Sequence, residues 1–214
     1  DVYKRQLQPL TTCERDGLLS HFAVHFSPIY YLLLPFFFIF PSPVTLLMGQ
    51  AAIIASGLIP LYLICKRHKL SNAAVILFSL CYVLLPSMAN GCFFFLHENK
   101  FLTPLILWLA FALEKNKWIP SVIFTLLLLA VKEDAPVYAA VLGLYFIVSR
   151  RNISKGALVF VLSIIYFITV SYFMSKYGLG TMSYRYDNFI YDGSGSLFTV
   201  IKAVILNPIY TVHE

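Results

Sequence analysis

Lys132, Glu133 and Asp134 stand side by side within an otherwise apolar stretch from Trp118 to Val148. A charged side chain at a bilayer centre costs roughly 2.5–3.5 kcal/mol, so three in a row would offset most of what the neighbouring leucines gain. Something must solvate or pair them. Their types suit a site: carboxylates can accept a proton or hold a divalent cation, and a lysine can meet a phosphate. The plainer alternative is a turn whose charges pair with one another or reach the lipid headgroups.

The flanking charges bear on how these residues are presented. As a single helix, the stretch would send Lys115 and Lys117 to one side of a membrane and Arg150, Arg151 and Lys155 to the other. Basic loops instead tend to stay cytoplasmic. A hairpin turning at the charges, with Pro136 in the first turn of its second helix, keeps both clusters inside and faces the triad outward. Each arm of about 14 residues is about 21 Å long, against a hydrocarbon core of roughly 30 Å. The turn is therefore expected to be recessed. Such a polar turn is tolerated where protein or a water-filled cavity surrounds it.

The chain has 214 residues, of which 59% are hydrophobic and 12% charged. That balance, with several long apolar runs, indicates an all-α, polytopic transmembrane helical bundle. The net charge of +6 resides largely in short connections: Lys66, Arg67 and Lys69, then Lys115 and Lys117, then Arg150, Arg151 and Lys155. Cytoplasmic retention explains them, and no nucleic-acid partner is needed. Cys13, Cys65, Cys81 and Cys92 lack paired metal-ligand spacing; Cys65 and Cys81 read as packing residues. Cys13 and Cys92 share the expected outer face, with pairing left open. Residues 1–6 resemble translated adapter sequence, residues 7–27 the remnant of an outer loop, and residues 199–214 the start of a truncated helix. A fragment of a larger protein is the expectation.

Residues 28–40, bounded by Pro28 and Pro41 with Pro35 inside, are short for a span and predict an interfacial or re-entrant helix. A transmembrane domain over 41–175 follows. Its expected segments are 43–64, 71–88, 101–113, the hairpin arms 118–131 and 135–148, and 156–175, about six crossings with every basic loop inside. Residues 176–198 read as an outer loop. This alternation gathers Glu14, Asp16, His21, His25, His97, Glu98, the triad, Arg185, Asp187 and Asp192 on the outer face. His97 and Glu98 read equally well as an ordinary loop. His21 and His25 have helical ligand spacing but lack the zincin glutamate. The tyrosine-rich residues 184–191 fit an aromatic interface belt or a sugar platform. No Walker motif, dinucleotide fingerprint or serine elbow is present.

Four strings occur in order: His25-Phe26-Ser27-Pro28, Phe95-Leu96-His97-Glu98-Asn99, Val131-Lys132-Glu133-Asp134 and Arg185-Tyr186. Together they resemble the prokaryotic membrane family named domain of unknown function 2079, over Leu18 to Pro208. That family in turn resembles the GT-C membrane glycosyltransferases of the protein mannosyltransferase and aminoarabinose transferase type. The resemblance implies a lipid bilayer setting in a prokaryotic plasma membrane and a polyprenyl-phosphate-linked sugar as donor, entering from the outer leaflet. It puts the donor phosphate near Lys132 and Arg185, with His25 and His97 also on the substrate side. Glu133, Asp134, Glu98 and Asp16 are the candidate acids for deprotonating an acceptor. A carboxylate-held divalent metal stays open. The main acid of GT-C enzymes usually follows their first transmembrane helix, ahead of the part matched here, so this chain alone is expected to be inactive. A transporter or flippase competes with this reading, because short proline-interrupted segments also mark transport sites. A non-catalytic scaffold is the third alternative.

Overall fold

A computed structural model of the chain describes residues 11–12, 19–86, 96–178 and 197–206. β1 (Thr11–Thr12) pairs antiparallel with β2 (Leu19–Ser20), Thr11 opposite Ser20. Helix and turn make up the rest of the described chain. A short α1 (His21–Val24) leads into a 3-10 turn at Pro28–Leu32 and α2 (Leu34–Ile39).

Pro43 starts α3 (Pro43–Ser56), where its missing N–H costs nothing, and the Ser42 hydroxyl accepts from the Val44 N–H at 3.3 Å. Gly57 separates α3 from α4 (Leu58–Arg67), and the two form one 25-residue apolar run. Ser71 caps α5 (Asn72–Leu84) by accepting from Ala74 N–H. The Tyr82 hydroxyl of α5 donates to Ile54 O at 2.7 Å, and a side chain on Gly57 would collide with it. The expected segment 43–64 is therefore a longer, broken helix.

A 3-10 turn at Glu98–Phe101 feeds α6 (Leu102–Glu114). The remaining core helices are α7 (Trp118–Leu129), α8 (Ala135–Val148) and α9 (Ile153–Tyr177), and α10 (Leu197–Leu206) follows later in the chain. Helices α6 to α9 run back and forth. Pro136 lies in the first turn of α8, and the chain reverses over residues 130–134. Leu105, Leu109, Leu113, Leu128, Leu129, Ala139, Phe146 and Val159 form the shared core. A close approach joins α8 to α9: a Cβ on Gly143 would lie 2.7 Å from Gly156 O, so only glycine admits this backbone contact.

Residues Pro43–Arg67 and Ile153–Tyr177 are each long and apolar enough to cross a membrane. Helices α5 to α8 have 12 to 14 residues, about 18–21 Å at 1.5 Å per residue. Helices α5, α7, α8 and α9 are apolar outward: Ile76, Leu77, Leu84, Ile119, Leu126, Val141, Val148, Ile165 and Ile168 are all exposed, whereas α6 exposes no large apolar side chain. That much contiguous apolar surface marks contact with lipid rather than water. Near the 130–134 turn, α9 presents Tyr166, whose ring lies 6.4 Å from that of Phe26. From Tyr166 to its end at Tyr177, α9 continues for about 16 Å. The turn consequently lies well below the tip of its neighbouring helix.

Candidate functional site

Residues 21–33 close over the 130–134 turn. The Ile29 N–H donates to Ala130 O at 2.8 Å, satisfying a carbonyl at the C-terminal end of α7. Ile29 and Leu33 are buried in the common core. The aromatic side chains of this cap pack against α9 and each other: Phe26 lies 5.7 Å from Phe173, and Phe22 stacks on Tyr31 at 5.8 Å. Further along, a Cβ on Gly178 would meet Ala23 O at 2.7 Å, so the end of α9 touches the start of the cap.

Glu133 fastens the cap. Its Oε1 accepts from His25 Nδ1–H and its Oε2 from the Phe26 main-chain N–H, both at 3.0 Å. Both carboxylate oxygens are thus engaged by one short segment. Ser27, two residues beyond His25, is fully buried, and its hydroxyl has no hydrogen-bond partner among the described residues.

Glu98 is a buried carboxylate, 4% exposed, whereas Glu133 is half-buried. It accepts from the Tyr30 hydroxyl at 2.6 Å, and Lys132 Nζ stands 3.6 Å from its other oxygen. His97 Nδ1 is 3.6 Å from Glu98 and accepts from the Asn99 N–H at 3.3 Å. A neutral His97 serves as that acceptor, whereas a protonated one would pair with Glu98. The His97 N–H donates to Oε1 of Gln50, a fully buried residue of α3. The 28–32 turn through Tyr30 and the α7–α8 turn through Lys132 therefore meet at this carboxylate, and α3 holds the neighbouring His97 backbone.

The electrostatics differentiate the three acids. Burial alone would raise Glu98, but the Tyr30 hydrogen bond, its own main-chain N–H and the charges of His97 and Lys132 outweigh it and hold the carboxyl below its ordinary 4.5. Glu133 is likewise lowered, with burial opposed by the His25 and main-chain hydrogen bonds. Asp134 is the exposed member, and its side chain does not cap α8. Lost hydration raises its carboxyl; Lys132 opposes that rise, while Glu133 and Glu98 add to it. Burial and the Glu98 charge push Tyr30 upward, so its phenol remains a donor.

The structure thus brings together His25, His97, Glu98, Lys132, Glu133 and Asp134. The ring of His21 lies 5.8 Å from that of His25. Among the described residues, no group of three or more His, Cys, Asp or Glu side chains is arranged to hold a metal ion. Arg185, Asp16, Glu14, Asp187, Asp192, Cys13, Cys92 and the tyrosine-rich 184–191 segment lie outside the described residues. Cys65 is buried and Cys81 exposed. Two site residues are absent from the sequence-based expectation. Gln50, a polar residue inside an apolar span, carries a signal that could have found it. Tyr30, within an aromatic run, carries none.

At the opposite ends of these helices the basic segments converge. Asn152 donates to Leu113 O at 3.0 Å and to Asn116 Oδ1 at 3.1 Å, and Lys155 also donates to Asn116. Lys155 further lies over the Trp118 ring at 4.2 Å. The hairpin and its neighbours therefore carry an acidic, recessed site at one end and a basic collar at the other. This is the layout of a helical protein embedded in lipid. A family described as predicted membrane protein (DUF2079) matches residues 6–214, and the chain belongs to it. Comparison with curated proteins and with solved structures gives no match.

Proposed function

We propose that the chain is part of a membrane glycosyltransferase of GT-C type, transferring a sugar from a polyprenyl-phosphate carrier at the outer face of the membrane. In this reading α3–α4 and helices α5 to α9 make six crossings of a prokaryotic plasma membrane, and the 130–134 turn opens outward. The observation that carries it is the gathering of Lys132, Glu133 and Asp134 in one recessed turn beneath an aromatic cap, with Glu98 of the 98–101 turn 3.6 Å from Lys132.

The roles follow from the pairing. Glu133 and Glu98 are occupied by hydrogen bonds and orient the cap and Lys132. Asp134, exposed and shifted upward, is the base we assign to the acceptor hydroxyl, since a base nearer the working pH transfers protons more effectively. Lys132 is shared with Glu98, so the donor phosphate would need Arg185 as a second cation. His25 and His97 border the donor position. In the intact protein, Asp134→Asn and Lys132→Ala should each abolish consumption of a polyprenyl-phosphate sugar while membrane insertion stays normal. Wild-type rates in both variants would refute the assignment.

One observation favours a second reading. Glu98, Glu133 and Asp134 outnumber Lys132 and leave the described site negative when its histidines are neutral, which suits uptake of a proton or other cation and hence a transporter. Cation-dependent solute uptake by reconstituted protein, without donor consumption, would establish that alternative.

A further inference from the structure

Glu114, at the C-terminal end of α6, has a side chain only 12% exposed and is ringed by cations from two other segments. His68 Nε2–H donates to its Oε1 at 2.9 Å, Arg67 Nε lies 3.6 Å from its Oε2, and Arg151 Nη1 lies 3.8 Å from its Oε1. Arg67 also donates from Nη2 to the Glu114 main-chain oxygen at 3.1 Å. These groups open onto a cleft of about 430 Å³, floored by Leu113 and Phe146.

A cluster needed only to fasten three helix ends has no use for a cleft. Nor does one carboxylate balance its surroundings, because two guanidinium groups face it beside the His68 ring. Both arginine side chains are about half exposed, 45% for Arg67 and 50% for Arg151, so each can turn towards a ligand while Glu114 holds its inner edge. Guanidinium groups match the paired oxygens of a phosphate better than ammonium groups do. The cleft also lies where exposed apolar side chains end, Tyr62 one turn below Lys66 and Val148 just before Arg151. A soluble anion would gain nothing from that apolar border, whereas a lipid would lay its acyl chains along it. Basic pockets between helices at one membrane face are a recognised geometry for anionic headgroups.

We propose that the Arg67–His68–Arg151 cleft binds the phosphate of an anionic phospholipid headgroup, with Glu114 as the competing internal anion that sets its affinity. The site is distinct from the carboxylate turn, lies at the other end of the same helices, and does not depend on the transferase reading.

The test uses the full-length protein in detergent, titrated with phosphatidylglycerol, phosphatidylcholine or inorganic phosphate and followed by native mass spectrometry and thermal unfolding. Phosphatidylglycerol should bind and raise the unfolding temperature, whereas the other two probes should not. Arg67→Ala and Arg151→Gln should each weaken phosphatidylglycerol binding about fivefold, and Lys115→Ala, at the same end but outside the cleft, should not. Glu114→Gln is the discriminating variant. It should tighten phosphatidylglycerol binding even though it loosens the lipid-free protein, a sign that a purely structural clasp would not produce. Equal response to both lipids, a response to inorganic phosphate alone, or weaker binding in Glu114→Gln would overturn the proposal. Unfolding of each variant without lipid separates lost binding from lost folding.

Discussion

Removing the Glu133 carboxylate should open the cap without unfolding the bundle, because among the described residues its two oxygens reach across to His25 and Phe26 of the cap. A hydrogen bond to a charged acceptor contributes about 1.5–3 kcal/mol, and an orphaned buried donor costs about 1–3 kcal/mol. Glu133→Ala removes the carboxylate that accepts from the Phe26 N–H and the His25 ring, and the core contacts of Ile29 and Leu33 remain to hold the segment. The net cost to the cap is therefore about 2–4 kcal/mol. Glu133→Gln behaves differently: its amide oxygen can accept from Phe26 while its NH₂ donates to a His25 tautomer with unprotonated Nδ1. Its expected cost is about 1 kcal/mol. Hydrogen exchange at the Phe26 amide reads the local opening directly. At about 1.4 kcal/mol per tenfold, protection should fall by about thirtyfold or more in Glu133→Ala and by about fivefold in Glu133→Gln. Adding His25→Ala to Glu133→Ala should cost clearly less than it does alone, since the partners are already separated. Wild-type protection at Phe26 in Glu133→Ala would refute the idea that this carboxylate fastens the cap.

The lowered carboxyls set a pH dependence with a definite sign. Glu98 and Glu133 sit below their ordinary 4.5 in the folded protein, so the unfolded chain binds more protons across that window and stability rises with pH through it. Their contribution is complete above about 4.5 and disappears as the pH falls through the lowered folded values; acid unfolding of Glu133→Gln should accordingly show a shallower slope below pH 4.5 than the wild type. At the α8–α9 contact, Gly143→Leu places a side chain against Gly156 O and the Phe160 backbone. Because backbone cannot yield as a flexible side chain would, the loss should be at least about 2–3 kcal/mol, seen as reduced yield of folded protein and a lower unfolding temperature. Gly57→Ala meets a tyrosine hydroxyl instead and should be milder.

What could be read in advance was whatever depended on local pattern. Pro136 followed three charges, so a reversal there was legible, as was the helical, lipid-facing class from long apolar runs closed by basic residues. The two long helices extend further than hydropathy suggested, α3–α4 through Lys66 and Arg67 and α9 from Ile153 through the polar Ser154 and Lys155. Long basic stems can follow apolar surface while their heads leave it, so a charge does not by itself end a helix. Partnership was not legible. Glu98 with Tyr30, Glu133 with His25 and Glu114 with Arg67 join residues 68, 108 and 47 positions apart. Such pairings depend on how the helices pack, and a single chain's spacing contains no record of that. The apparent plainness of Glu114, a lone acid among basic loops, concealed the same kind of contact.

The chain reverses at residues 130–134, and the proposed function requires the acidic end to face outward and the basic collar inward. Impermeant maleimide labelling tests this on intact cells, using Asp134→Cys and Glu114→Cys separately in full-length protein whose native cysteines are replaced. The expected result is slow labelling of position 134 from outside and labelling of position 114 only after the cytosolic face is exposed. Modification of both positions from the same side, or of position 134 from the cytosol alone, would contradict it.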